Sequence, residues 1–330
     1  MAMTFVEYQN LTVVSPLTKR VAYVIARESQ VARRLPFEDV GDLSVMMLEN
    51  QGLPTPTHRA LNPASISTVK VPFGQRRETL KILSDKVVID RQFRNNKTSV
   101  VDPLAATVEG YSKAVAYELV SQLINGDPDV TPDEPSGLVW RYRNDSRLSD
   151  GSVAPATQKR VVDANNQASD MALEADRAKL FNGIHEALSI MDGGMADIMI
   201  TNRQVILKLS EAARRGGTLF QQTKDQFDRP LLSFMGIPIV DAGVKPAGVL
   251  DLTSQVIPNG SGNTIIDDAI FLLKFGQTMF TGIQKGPLET IRFNPDADAS
   301  SFPNHTVAFE WVYGFHLVNP YAVALVRRAA

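Results

Sequence analysis

The stretch Asn125-Gly126-Asp127-Pro128-Asp129-Val130-Thr131-Pro132-Asp133-Glu134-Pro135-Ser136-Gly137-Leu138 decides the reading of this chain, because it closes the clearest helix in the sequence. That helix opens at Asp102-Pro103. Asp102 suits an N-cap, and Pro103 suits the first helical position, where a missing N–H costs no intrahelical bond. Leu104, Val108, Tyr111, Val115, Leu119 and Leu123 then recur at steps of three or four. Gly126 stands where such a helix stops. The spacing predicts a helix of roughly six turns, long enough to act as a spine. Beyond it, Asp127, Asp129, Asp133 and Glu134 are interrupted by Pro128, Pro132 and Pro135. They lack the glycine and terminal glutamate of a calcium-binding EF-hand loop, so they read as a solvated turn. Two later segments complete the frame: Met235-Gly236-Ile237-Pro238-Ile239-Val240, and Phe309-Glu310-Trp311-Val312-Tyr313-Gly314-Phe315-His316-Leu317-Val318-Asn319-Pro320.

Upstream of the spine, Val21, Val24, Ile25, Ala32 and Leu35 share one side of a predicted helix from about Lys19, and Arg20, Arg27 and Arg34 share the other. Glu28 interrupts the apolar stripe, and Pro36 ends the pattern. Two placements stay open for this helix: on its own domain, or as an arm on a neighbouring subunit. Residues 51 to 85 differ in character. Pro54, Pro56, Pro63 and Pro72 punctuate them, with His58, Arg59, Lys70, Arg76, Arg77 and Lys81 interspersed. Ile66, Thr68, Val69 and Val71 favour strand, and Gly74 suits a turn or bulge. The expectation is a long, polar, two-stranded excursion. A lone hairpin is marginal in water, so it needs a surface to rest on.

Downstream, a helix is predicted over Asp170 to Met191, with Leu173, Leu180, Phe181, Ile184 and Leu188 facing inward and Gly193-Gly194 ending it. Asp197 to Ile200 reads as a short buried strand. Thr201 or Asn202 caps a third helix through Val205, Ile206 and Leu209, and Arg214 and Arg215 complement its negative end. Strands follow at Ile237 to Val240, Ile270 to Phe275, Leu288 to Phe293 and Val307 to Val318. Helices and strands mix without regular alternation, which argues for an α+β class.

The 330 residues suffice for one large or two ordinary domains. With 44% hydrophobic and 21% charged residues the chain reads as an ordered globular protein. A net charge of -2 gives no global basic excess pointing to nucleic acid or an acidic membrane. The absence of cysteine excludes disulfides, thiolate metal sites and cysteine nucleophiles. The first residues show no secretory pattern, and no apolar run approaches the ~20 residues that span a bilayer.

Catalytic patterns fare poorly. His58, His185, His305 and His316 include no pair at the spacing of a helical zinc site, and each reads as a structural or surface histidine. Gly260-Ser261-Gly262 is followed by no Lys-Ser or Lys-Thr pair and forms no nucleophile elbow, so it reads as a turn. Arg141, Arg143 and Arg147 beside Trp140 and Tyr142 are weak as a phosphate-stacking cluster and read as an interface or solvated face. No catalytic, cofactor or metal residue is assigned, and the chain is not expected to be an enzyme.

The order of these elements resembles the major capsid protein of tailed bacteriophages, the HK-ninety-seven-type fold. The resemblance runs from about Leu35 to Arg328. It rests on the polar hairpin, a strand at about Val87 to Phe93, the spine helix ending in Asn125-Gly126-Asp127, Ser136-Gly137-Leu138, Ile198-Met199-Ile200-Thr201-Asn202, Gly236 to Val240 and Trp311 to Pro320. It implies an N-terminal arm and helix over 1–50 and an extended E-loop hairpin over 51–85. It also implies a discontinuous peripheral P-domain over 86–130 and 270–312, and an axial A-domain over 131–269 and 313–330. His58, Arg59, Lys70, Arg76, Arg77 and Lys81 are then expected at a subunit interface. The implied function is self-assembly through pentamers and hexamers into an icosahedral virion shell around double-stranded DNA, bound without sequence specificity and away from any membrane. The implied partners are other copies of the chain, a portal, cement proteins and a scaffolding protein. Because the arm begins almost at Met1, the scaffold is expected to be a separate protein. Some members crosslink a hairpin lysine to an asparagine; Lys70 and Lys81 lie in that region, but no partner is assigned. An encapsulin-like compartment shell is the alternative with the same fold, and a soluble α+β enzyme is a third class.

Overall fold

The computed structural model describes residues 3–12, 15–50, 55–59, 61, 68–70, 73–90, 102–142, 161–164, 174–216, 221–224, 230–243, 255–259, 262–266, 269–293 and 304–328. The N-terminal segment runs β1 (Met3–Thr4), α1 (Phe5–Thr12), α2 (Pro16–Glu28), α3 (Gln30–Arg34) and β2 (Pro36–Asp39). The single helix expected across 19–35 is therefore two. Ser29 is extended (φ -110°, ψ 115°), and its Oγ accepts from the Ala32 amide at 3.1 Å, capping α3. A serine that competes for backbone amides explains the break. The apolar stripe survives it, since Val21, Val24, Ile25, Ala32 and Leu35 are all buried.

The spine is α4 (Pro103–Asn125), of 23 residues. Asp102 caps it as expected, accepting from the Leu104 amide at 3.0 Å. Leu104, Val108, Val115, Leu119 and Leu123 are buried. The N-terminal helix α2 packs along α4 of its own chain. Arg27 joins the two by donating to Glu109 at 2.9 Å. Phe5 and Phe37 close on Trp311, with ring centroids 4.9 and 5.3 Å away, so the N-terminal segment is stitched into the main core.

After β2 come β3 (Ser44–Asn50), β4 (Phe73–Thr79) and β5 (Lys81–Asp90). After the spine come α5 (Leu138–Tyr142), β6 (Val161–Ala164), α6 (Glu174–Ile190), β7 (Ile198–Thr201) and α7 (Arg203–Gly216). The strands that follow among the described residues are β8 (Gln221–Lys224), β9 (Pro230–Phe234), β10 (Ile237–Asp241), β11 (Gln255–Asn259), β12 (Gly262–Ile266), β13 (Ile270–Leu273), β14 (Phe280–Gln284), β15 (Glu289–Phe293), β16 (Asn304–Leu317) and β17 (Val323–Arg328). Asn202 caps α7, its Oδ1 accepting from the Val205 amide at 2.7 Å. Leu173, expected on the inward face of α6, lies outside the described residues.

Two large sheets organise these strands. The first has the order β1-β2-β14-β16-β15, with β5 on the other flank of β16. Its long central strand alternates, burying Val307, Phe309, Trp311 and Tyr313. The second is seven-stranded, ordered β6-β17-β13-β7-β10-β9-β8. Its central strands are apolar at successive positions because both faces are covered. Ile198, Ile200 and Phe271 enter the core shared with the spine helix, whereas Met199 and Leu272 enter a second core under α6 and α7. The sheet change-overs lie later than the limits of 270 and 313 expected from sequence. β13 belongs to the second sheet and β14 to the first, and β16 stays in the first to Leu317.

β9 and β10 are joined by Met235-Gly236, with φ of 52° and 81°. Positive φ at both positions is the geometry of a type I′ hairpin turn, in which Gly236 is favoured and Met235 is unusual.

Candidate assembly surface

β3 and β4 pair antiparallel from Ser44↔Thr79 to Asn50↔Phe73 and make a two-stranded sheet of their own. This is the expected hairpin, with its strands elsewhere. Thr68 to Lys70 belong to no strand, Ile66 and Val71 lie outside the described residues, and Gly74 sits inside β4 opposite Glu49. The limits also move: the hairpin begins at Ser44, and Lys81 to Asp85 belong to β5 of the first sheet.

The root of the hairpin is anchored by charge. Glu78 of β4 is buried and accepts from Arg141 of α5 at 3.0 Å; the side chains are 7% and 2% exposed. The same Arg141 nitrogen donates to the Phe315 carbonyl of β16 at 3.0 Å. Arg141 thus ties hairpin, α5 and central strand together. This corrects its expected place on an interface or solvated face; Arg143 and Arg147 lie outside the described residues. Trp140 is also buried and donates its indole N–H to Asp129 at 2.8 Å.

The turn between Gly126 and Gly137 positions Arg141. The Gly137 amide donates to the Gly126 carbonyl at 2.8 Å. A Cβ at Gly126 would lie 2.3 Å from the Pro135 carbonyl oxygen, and one at Gly137 would lie 2.5 Å from the Gly126 nitrogen. Gly126 ends α4 with φ of -51°, so close backbone approach, rather than a left-handed cap, accounts for the glycine. Within the acidic run, Asp129 binds Trp140 and Glu134 accepts from the Asp127 amide at 3.1 Å. The run is the solvated turn expected, exposed from Asp129 to Asp133, and these contacts fix its ends.

Tyr313 lies buried in β16, opposite Lys81 of β5. Burial first, then the negative charges of Glu118 and Glu134, push its hydroxyl far above the ordinary tyrosine range. Burial and Asp85 do the same for Tyr111 on the spine. The Glu109 carboxyl is held below its usual range, chiefly by the hydrogen bond from Arg27 and then by Lys113.

Of the six cations expected at an interface, five have described side chains. His58, Arg59 and Lys70 are exposed between the paired strands. Arg77 is exposed on β4 and donates to the Ser44 hydroxyl at 3.0 Å. Arg76 pairs with Met47 through the backbone. Lys81 is half-buried at the start of β5 and donates to the Pro132 carbonyl. What the sequence reading missed is the apolar component: Leu43, Met46, Leu61 and Val69 are all exposed, Leu61 to 95%. A second exposed apolar row crosses the outer face of the first sheet, where Val88, Thr306 and Phe293 align, as do Lys86, Ala308 and Ile291.

Among the described residues no group of three or more His, Cys, Asp or Glu side chains could hold a metal ion. His305 and His316 are buried, whereas His58 and His185 are exposed. Among the same residues no helix is long and apolar enough to cross a membrane.

No protein-family model and no curated protein sequence matches the chain. Solved structures do. The capsid of the native GTA particle is 16% identical with a TM-score of 0.61, covering 92% of this chain and 91% of that one. The SrpI encapsulin of Synechococcus elongatus PCC 7942 is 13% identical with a TM-score of 0.58, covering 99% and 96%. A chain from Microbacterium phage Oxtober96 is 11% identical with a TM-score of 0.55, covering 91% of each. The chain has the HK-ninety-seven-type capsid fold.

Proposed function

We propose that the chain is the major capsid protein of a tailed bacteriophage, assembling through pentamers and hexamers into an icosahedral virion shell around double-stranded DNA. The observation that carries this reading is the hairpin. It is fixed to the body at its root by Glu78 and Arg141, and among the described residues it presents exposed Met46, Leu61, Val69, Lys70 and Arg77. Exposed apolar residues of this kind mark surfaces meant to be covered. Identical subunits that meet head to tail close into rings, and a reaching hairpin tolerates the angular change between five and six copies. Many modest contacts then sum, because later ones form at high effective concentration.

In this reading the first sheet and spine helix form the P-domain, and the second sheet with α6 and α7 forms the A-domain. A separate scaffolding protein, a portal and cement proteins are its partners. The test is to replace residues 51–72 by an Asn-Gly turn, which suits a hairpin closed at Asn50↔Phe73. The expected product is a folded subunit, by circular dichroism, that forms no closed particles under the electron microscope. Normal particles from the shortened chain count against the proposal.

The likeness to the SrpI encapsulin over 99% of this chain favours a second reading, a compartment shell that holds protein cargo. Nuclease-protected DNA inside purified particles supports the phage reading. A co-purifying cargo protein without DNA supports the compartment.

A further inference from the structure

We propose that a cleft between the start of α2, the edge strand β15 and the spine helix binds a phosphate-class oxyanion. Two adjoining cavities of about 170 and 520 Å³ share Leu17, Arg20 and Arg292 in their walls. Arg292 occupies a position of β15 whose partner on β16, Val307, is buried, and Thr290 on the same face is opposite buried Phe309. The Thr290 hydroxyl lies 2.6 Å from that of Thr18, which turns this face of β15 towards α2. Arg20 and Arg292 are both exposed, so their guanidinium groups stand at the open rim of the cleft.

Neither Arg20 nor Arg292 forms an ion pair or a side-chain hydrogen bond among the described residues. The carboxylates of the smaller cavity are engaged elsewhere: Asp102 caps the spine helix, and Glu109 pairs with Arg27 and Lys113. Among the described residues the larger cavity has no acidic wall, and Ser15, Pro16 and Thr290 also line it. The helix end adds to the same field. Ser15 makes no side-chain capping bond, Pro16 is the first helical residue, and the first turn holds no acid. The first amides of a helix lack intrahelical partners and lie at the positive end of its dipole.

Two guanidinium groups from different elements, a hydroxyl and free amide donors match a tetrahedral oxyanion with several oxygens, better than a two-oxygen carboxylate. The oxyanion is a backbone phosphate of enclosed nucleic acid, a source that rests on the shell reading, or free phosphate, which does not.

The test uses the full chain and the R20Q/R292Q double variant, with Arg203→Gln on α7 as a basic-surface control; circular dichroism checks that each is folded. In the first arm, sodium phosphate is compared with sodium chloride at equal ionic strength. Phosphate is expected to raise the melting temperature of the parent and the control but not of the double variant. In the second arm, a mixed-sequence DNA duplex is titrated over a range of salt concentrations. The slope of log affinity against log salt is expected to flatten by about 0.9 in the double variant, for the one phosphate no longer neutralised. An effect in the first arm alone assigns the site to free phosphate. Identical behaviour of parent and double variant in both arms overturns the proposal. So does a glutamate-rich peptide that stabilises the parent when phosphate does not. Particle formation by the same proteins is scored separately by microscopy, so failure of the oxyanion site is distinguishable from failure of the shell reading.

Discussion

Arg141→Met removes the cation that anchors the hairpin root and leaves Glu78 buried without it. The pair is nearly sealed, at 2% and 7% side-chain exposure. Breaking a buried ion pair from one side costs about 3–5 kcal/mol, because the remaining charge keeps its desolvation penalty. At about 2 °C per kcal/mol for a chain of this size, the melting temperature falls by roughly 6–10 °C. Replacing both partners is different. Arg141 has buried Nε and Nη1 atoms with no hydrogen-bond partner, so the native guanidinium is itself incompletely satisfied. Glu78→Leu with Arg141→Met removes the charge and that deficit together, and costs about 0–2 kcal/mol. Urea unfolding followed by circular dichroism on the parent, both single variants and the double variant closes the cycle. Glu78→Leu alone costs about 3–5 kcal/mol on the same grounds, so the expected coupling is at least about 4 kcal/mol in favour of the pair. A double variant as unstable as Arg141→Met, with coupling near zero, refutes the argument that an ion pair holds the root.

Three further outcomes follow from local geometry. Gly126→Ala and Gly137→Ala each force backbone apart, since their Cβ atoms fall 2.3 and 2.5 Å from backbone atoms; each is expected to cost about 1–3 kcal/mol in urea midpoint analysis. Met235→Asn relieves a left-handed conformation (φ 52°) in a type I′ turn and is expected to gain about 0.5–1 kcal/mol; a loss would show that exposed Met235 packs on something. Tyr111 and Tyr313 have folded values raised above the ordinary 10.0, so their contribution is complete below pH 10 and is lost as pH climbs towards the folded values. Tyrosinate absorbance should therefore titrate in part well above pH 10 and shift down on adding urea; a single folded-state transition near 10 contradicts the burial of these rings.

The spine helix was legible from sequence because Asp102-Pro103 and the spacing of Leu104, Val108, Val115, Leu119 and Leu123 all encode the same element. The buried strand at Ile198 to Thr201 and the Asn202 cap were legible for the same reason. The hairpin was foreseen as an object but not in register. Phe73-Gly74-Gln75-Arg76-Arg77-Glu78-Thr79 shows no apolar alternation, because a two-stranded excursion has no covered face within its own chain to demand one. The β-branched residues from Ile66 to Val71 carry a stronger local signal for strand, yet Thr68 and Val69 belong to no strand. The Arg141–Glu78 contact spans 63 positions, beyond any local pattern. Gly126 and Gly137 advertised a turn, but only close backbone approach, of the Pro135 carbonyl to Gly126 and of Gly126 to Gly137, explains why both are glycine.

Expressing the chain alone and imaging the purified product by electron cryomicroscopy is the direct test of the proposed shell function. Closed particles are expected in which one chain occupies both fivefold and sixfold positions, with the hairpin from Ser44 to Thr79 lying on a neighbouring copy. A stable 36.2 kDa monomer by light scattering, with no particles at any protein concentration, contradicts it.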